Sequence, residues 1–488
     1  MLPRRLSRVP RPLGALACLA ALRRAATALT AAALATAASL TPGAQAADPE
    51  GWDQVAPILA RIHAPEFPAR HYPITDYGAV AGRDCTAAIR AAIAACHAAG
   101  GGHVLVPAGT FLTGGIRLLS RVDLHLAAGA TLRFSADPGA YLPVVYTRWE
   151  GVECMNYMPL IYAWEETDIA VTGAGTLDGS AAPDRWWDWG RHDQGRRAPS
   201  ADDARALDAQ AAAGMPVAQR VFGTGHHLRP NFLQPYRCRN VLIEGVSIVR
   251  SPMWEINPVL CTNVIVRGVT IASLGPNNDG CDPESCRDVL IEGCAFTTGD
   301  DCIAIKSGRN ADGRRVGVPA ENLIIRGCDM RDGHAGVAIG SEVSGSCRNV
   351  FIEDCRMSSP NLDRALRLKS NAARGGVIEN VRMRRVAIGR VAEAVLTVDF
   401  QYEEGPRGAF PPAVRNISLD RITVESTPRV FFIAGFPGAT IDRIRVSRST
   451  IAGLSAPERV DHAGRIELDQ VDLIPAQSEV SRSSRRLP

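Results

Sequence analysis

From residue 238 onward, short runs of Val and Ile alternate with Gly, Asn and Asp, and the runs recur. Cys238-Arg239-Asn240-Val241-Leu242-Ile243-Glu244-Gly245-Val246-Ser247-Ile248 returns as Cys261-Thr262-Asn263-Val264-Ile265-Val266-Arg267-Gly268-Val269-Thr270-Ile271. Further copies begin at Cys286, Ala320, Cys347, Ile378 and Val414, with a degenerate copy near Ile441 and an early one at Glu166. Successive starts lie 23, 25, 34, 27, 31 and 36 residues apart. A base period in the low twenties with variable insertions suits a coil of three short strands, which buries its apolar side only by stacking on its neighbours. The pattern therefore predicts an all-β solenoid, a parallel β-helix. The Leu frame of a leucine-rich repeat and the Trp-Asp signature of a propeller are both missing.

Ahead of the repeats, Ala88, Ile89, Ala92, Ile93 and Cys96 fall at three- and four-residue spacings, and Gly100-Gly101-Gly102 follows. This predicts a capping helix over 86–98. Strands are expected at 103–106, 116–118, 122–126 and 131–134. The region 186–230 breaks the rhythm and reads as a long loop with a short helix over 201–213. Residues 476–488 read as a frayed tail.

Of 54 Lys and Arg, six Arg lie in the first 46 residues, where there is no acid, so the remaining chain carries 48 against 51 Asp and Glu. The basic start, the Ala/Leu-rich run over 25–40 and Ala44-Gln45-Ala46 read as an export signal over 1–46. A single catalytic domain over 47–475 is then expected, secreted or periplasmic, monomeric and free of the membrane once the signal is removed. A slightly acidic mature chain argues against nucleic-acid partners. Twelve Cys remain after Cys18 leaves with the signal. In an exported protein they suggest packed thiols with a few bridges, and their spacing does not suit zinc.

Counted from the repeat starts, Asp279, Asp300, Asp301, His334 and Arg367 share one sector of the coil, beside Gly280, Gly299, Gly333 and Ala335. Aligned carboxylates on adjacent coils suit general acid–base cleavage of a glycosidic bond: crowding raises one carboxyl, and a second, across roughly 6.5–9.5 Å, activates water. Calcium is the competing reading for three acids in a row. The chain has only two Lys, Lys306 and Lys369, both in this segment. Where Arg serves elsewhere, a retained Lys marks a place that needs a compact ammonium.

Asn277-Asn278-Asp279, Gly299-Asp300-Asp301-Cys302, Gly333-His334 and Arg367-Leu368-Lys369 together resemble the ordered motifs of family 28 of the glycoside hydrolases, the polygalacturonases and their relatives. The likeness runs from Asp76-Tyr77-Gly78 through Gly173 to Gly179 and on to Tyr402-Glu403-Glu404-Gly405. It implies a right-handed parallel β-helix that hydrolyses α-1,4-galacturonan with inversion, without cofactor or metal. Asp300 would be the general acid, Asp279 and Asp301 would activate water, and His334 would support protonation of the acid. Arg367, Lys369 and Asn277 would bind a pectic polysaccharide or oligogalacturonide. Ala335 departs from the family's Gly at that place. End-directed action is expected from the 186–230 loop. Rhamnogalacturonan or decorated galacturonan are alternative substrates, and a calcium-dependent lyase or a β-helical adhesion module are the alternative classes.

Overall fold

The computed structural model describes residues 51–190 and 197–476. The expected export segment, 1–46, lies outside them, as does all of the expected tail except Ala476. No helix among the described residues is long and apolar enough to cross a membrane.

The repeat copies stack as the sequence predicts. Arg239, Thr262, Arg287, Glu321, Arg348, Glu379, Arg415 and Asp442 pair in turn in parallel register, so every repeat start, the degenerate one included, occupies the same place on its rung. The early copy joins through Thr167 and Arg239. Each full coil has three faces. Within one coil, Arg287–Glu292 lies on the first face, Ala295–Thr298 on the second and Ile303–Ile305 on the third. The chain is a right-handed parallel β-helix.

Two side-chain ladders explain why these residues recur. Asn240, Asn263, Asn322, Asn349, Asn380 and Asn416 all sit at φ between 56° and 60°. Each Nδ2 donates to the Asn or Asp one rung earlier, as in Asn349 to Asn322 at 3.1 Å and Asn380 to Asn349 at 3.1 Å. Asn tolerates the left-handed backbone that this corner requires, and its amide can both give and accept. The second ladder corrects an expectation. All twelve described Cys are unbridged and buried. Cys238, Cys261 and Cys286 stack one per rung, each thiol donating to a backbone carbonyl, so they act as small apolar spacers.

The N-terminal cap is the helix Thr86–Ala98, whose Ile89, Ala92, Ile93 and Cys96 close the end of the apolar interior. The expected early strands form at Gly102–Val106, Ile116–Arg117, Val122–Leu126 and Ala130–Phe134. The region 186–230 is more structured than a loop, with helices Trp187–Gly190 and Ser200–Ala212 and a strand Val221–Phe222. That strand pairs with an antiparallel hairpin, Val145–Trp149 with Val152–Asn156, which interrupts the coil pattern.

Candidate active site

The turns between the second and third faces carry the chemistry. Asp300 and Asp301 follow the strand Ala295–Thr298. His334 occupies the equivalent turn one coil later, between Asp329–Asp332 and Ala335–Ile339. Asp279 lies one coil before Asp300, where Cys281 pairs with Ile303, and Arg364–Lys369 lies one coil beyond His334, where Leu366 pairs with Val337. The backbones meet so closely that a Cβ on Gly299 would lie 2.2 Å from the Gly275 carbonyl oxygen, and one on Gly333 2.5 Å from that of Asp300.

One oxygen each of Asp279, Asp300 and Asp301 lies within 4.8 Å of the others. This is tighter than the gap expected from sequence, because two of the acids share a turn and the third sits one rung away, about 4.8 Å. The grouping has the hard oxygen atoms that a cation could use. Its counter-charges are built into the chain. Lys306 Nζ lies 3.6 Å from Asp279, 3.5 Å from Asp282 and 3.3 Å from Glu342. Lys369 Nζ donates to Asp301 at 2.9 Å, and Arg367 stands 3.8 Å from the other Asp301 oxygen. Lys306 also lies over the Trp254 ring, and Lys369 and Arg367 lie near the Tyr402 ring.

Exposure separates the acids. The Asp301 side chain is fully buried, whereas 20% of Asp300 and 49% of His334 face solvent. His334 Nδ1 donates to Asp300 Oδ1 at 3.0 Å. That bond, opposed by burial and aided by the negative charge, raises the His334 pKa. Burial pushes Asp300 the other way, toward protonation, but the His334 bond and charge, followed by Lys369 and Lys306, outweigh it and hold the carboxyl well below its usual range. The raised carboxyls are others. Burial, then repulsion from Asp282 and Asp300, lifts Asp279 well above the ordinary value. Burial likewise pushes Asp282 up to about 8 against the pull of Lys306. The crowding read from sequence is real, but its effect falls on Asp279 and Asp282 because Asp300 has the imidazolium.

Asn277 is held by Arg229. Its Oδ1 accepts from Arg229 Nη2 at 2.6 Å, which leaves its amide hydrogens for other partners. Asn278 is scaffold: buried, it accepts from Ser273 and the Gly275 amide and donates to the Ser251 and Met253 carbonyls. Ala335 is fully buried with Ala304 and Ala338, so its methyl does not narrow the cleft. Sequence reasoning missed Asp282, Glu342 and Arg229. The repeats mark rungs, and these three act through partners on other loops.

Residues 218–435 match the family described as glycosyl hydrolases family 28. The chain is similar to a solved hyperthermoactive exopolygalacturonase from Thermotoga maritima, with 41% identity over 86% of this chain and 96% of that one, and a TM-score of 0.83. The chain belongs to glycoside hydrolase family 28. This family 28 glycosidase also shares its fold with an exopolygalacturonase from Yersinia enterocolitica, at 22% identity, 84% of this chain, 76% of that one and a TM-score of 0.70. A curated relative, a probable polygalacturonase from Vitis vinifera, is 27% identical over 72% of this chain and 67% of its own length.

Proposed function

We propose that this glycosidase is an exported, end-acting hydrolase of α-1,4-galacturonan, with residues 47–475 as its catalytic domain. The observation that carries the reading is the meeting, in one group, of three carboxylates with the Arg367–Lys369 pair. Such a site joins acid–base hydrolysis to a cationic grip on a uronate carboxylate. End-directed action is supported by the 41% identity to an exopolygalacturonase and by the inserted elements beside the cleft.

Asp300, the least buried of the three acids, is the proton donor to the leaving glycosidic oxygen. In the free protein the proton of the Asp300–His334 pair rests on the imidazole, and it moves to Asp300 as the leaving oxygen gains charge. Asp301, ion-paired to Lys369, carries the negative charge that accepts a proton from water, while Asp279 helps hold that water. Asp279 Oδ1 and Asp301 Oδ1 each have no hydrogen-bond donor in the protein, which leaves an acceptor on each for the water. Arg367 offers its guanidinium fork to the uronate carboxylate beside Tyr402. Asn277 completes the sugar contacts through its amide hydrogens. Inversion rests on the family membership, and proton NMR of early products tests it through release of the β-anomer.

The test is digestion of polygalacturonate in EDTA with products resolved by size over time, beside Asp300→Asn. Monogalacturonate released early by the parent and lost in the variant is the expected result. Mixed oligomers would overturn end-directed action, and no cleavage would overturn the substrate.

A further inference from the structure

Three residues after Lys306, Arg309 joins pieces of chain that are far apart in sequence. Its backbone N–H donates to the Gly151 carbonyl at 3.0 Å, at the tip of the hairpin over 145–156. Its guanidinium reaches Glu150 of that tip at 3.2 Å, Asp208 of the inserted helix at 3.3 Å and Glu403, beyond the strand Ala394–Asp399, at 3.9 Å. Arg374 grips the same Glu403 and, at 3.4 Å, Glu404.

This meeting point borders the catalytic group. A Cβ on Gly151 would lie 2.8 Å from the Arg309 nitrogen and 2.9 Å from Glu342 Cγ. Glu342 pairs with Lys306, which stands 3.6 Å from Asp279. On the other flank the inserted region reaches the loop carrying Asp279. Trp187 Nε1 donates to the Ser251 carbonyl, and the buried Arg229 donates to the Pro252 and Pro276 carbonyls and to Asn277. The hairpin, the inserted helix and the 400–405 loop thus form a wall beside the catalytic carboxylates.

Arg374 also holds Glu403 and acts on Asp208, but of the two only Arg309 pairs with all three acids. Without the guanidinium, Glu150, Asp208 and Glu403 would repel one another across a partly buried gap. Glu150 already sits at about 7, through burial set against Arg309 and repulsion by Glu342 and Glu403. These segments lie outside the stacked rungs: an apolar cluster that includes Trp149, Val152, Leu207, Ala211 and Phe222 joins the hairpin to the inserted helix, and Arg309 ties both to the 400–405 loop.

We propose that Arg309 is a positioning residue, a latch that holds this wall shut and so limits how far the polymer extends beyond the cleaved bond. The proposal rests on the end-acting reading above and assigns the size of the released product to Arg309 rather than to the carboxylates.

The test compares the parent with Arg309→Met, Arg309→Lys and Asp208→Asn. The readouts are early product sizes from polygalacturonate, kcat and KM on trigalacturonate, and hydrogen exchange over 200–212. Arg309→Met keeps the aliphatic stem but removes the charge. It is expected to release oligomers beside the monomer and to speed exchange over 200–212. KM should rise about tenfold, the size of one lost charged contact, with kcat nearly kept. Arg309→Lys should rescue in part, since an ammonium cannot span three carboxylates as the fork does. Monomer-only products from Arg309→Met, whether or not exchange speeds up, would overturn the latch, as would loss of kcat with unchanged products. Should Arg309→Met fail to fold, Asp208→Asn, whose carboxylate is one-third exposed, decides by the same product criterion. Mixed oligomers from the parent would overturn the end-acting reading alone, and the latch would then stand or fall on whether Arg309→Met lengthens them further.

Discussion

Asp300 and His334 hold one exchangeable proton between them, and the pH behaviour of the enzyme follows from where it rests. The His334 pKa is raised and that of Asp300 lowered, so below the raised imidazole value the pair is a carboxylate with an imidazolium. As pH rises through that value the proton leaves, and with it both the ion pair and the supply for the leaving oxygen. Activity is therefore expected to fall on the alkaline side, and the same pair's contribution to stability fades in the same direction. In His334→Ala the alkaline limb of the kcat profile should move and kcat should drop about 100-fold, the usual weight of an acid–base contribution. An unmoved limb would detach His334 from the proton. Asp300→Asn should lose about 1,000-fold in kcat with KM held. These residues were legible in the sequence because each follows its repeat start at a similar offset and so falls in one sector of the coil. The pKa pattern was not, since it depends on Lys306, Lys369 and His334 meeting the acids at particular distances.

The elements were legible through their periodicity. The helix over 86–98 and the strand at 122–126 form where the spacing of apolar residues places them. The Asn or Asp at the third place of each clear repeat reads as a turn residue, and the structure adds the reason, a hydrogen-bonded ladder at positive φ. Asn349 donates to Asn322 and accepts from Asn380, so Asn349→Ala removes two bonds and leaves a Cβ-bearing residue without a local hydrogen bond in the left-handed region. A destabilisation of about 2–3 kcal/mol is expected, with catalysis intact below the new melting temperature. Calorimetry beside an activity assay checks both. The hairpin over 145–156 was not legible. Its strands lie outside the repeat, and its place is decided by Arg309, Glu342 and the strand Val221–Phe222.

At the scale of the whole molecule, a cleft that grips a polyanion through Arg367 and Lys369 should weaken with salt. KM for polygalacturonate is expected to climb with ionic strength while kcat stays level, because screening acts on the approach of charge and less on groups buried together. Activity should be unchanged by EDTA, since Lys306 and Lys369 supply the counter-charge at the carboxylates. A fall reversed by calcium would overturn that account. The twelve described thiols, all buried, should react with Ellman's reagent only after unfolding. Thiols missing from the count of unfolded, unreduced protein would reveal bridges.

The sequence by itself determined the solenoid and the sector of the site. A repeat that buries its face only by stacking must place equal offsets in rows, so aligned motifs become neighbours without further information. Tertiary structure alone decided the ends of the cleft and the charge of its acids. Arg309, Arg229 and Glu342 act across insertions of no fixed period, and proton affinity depends on burial and on distances that no linear spacing contains.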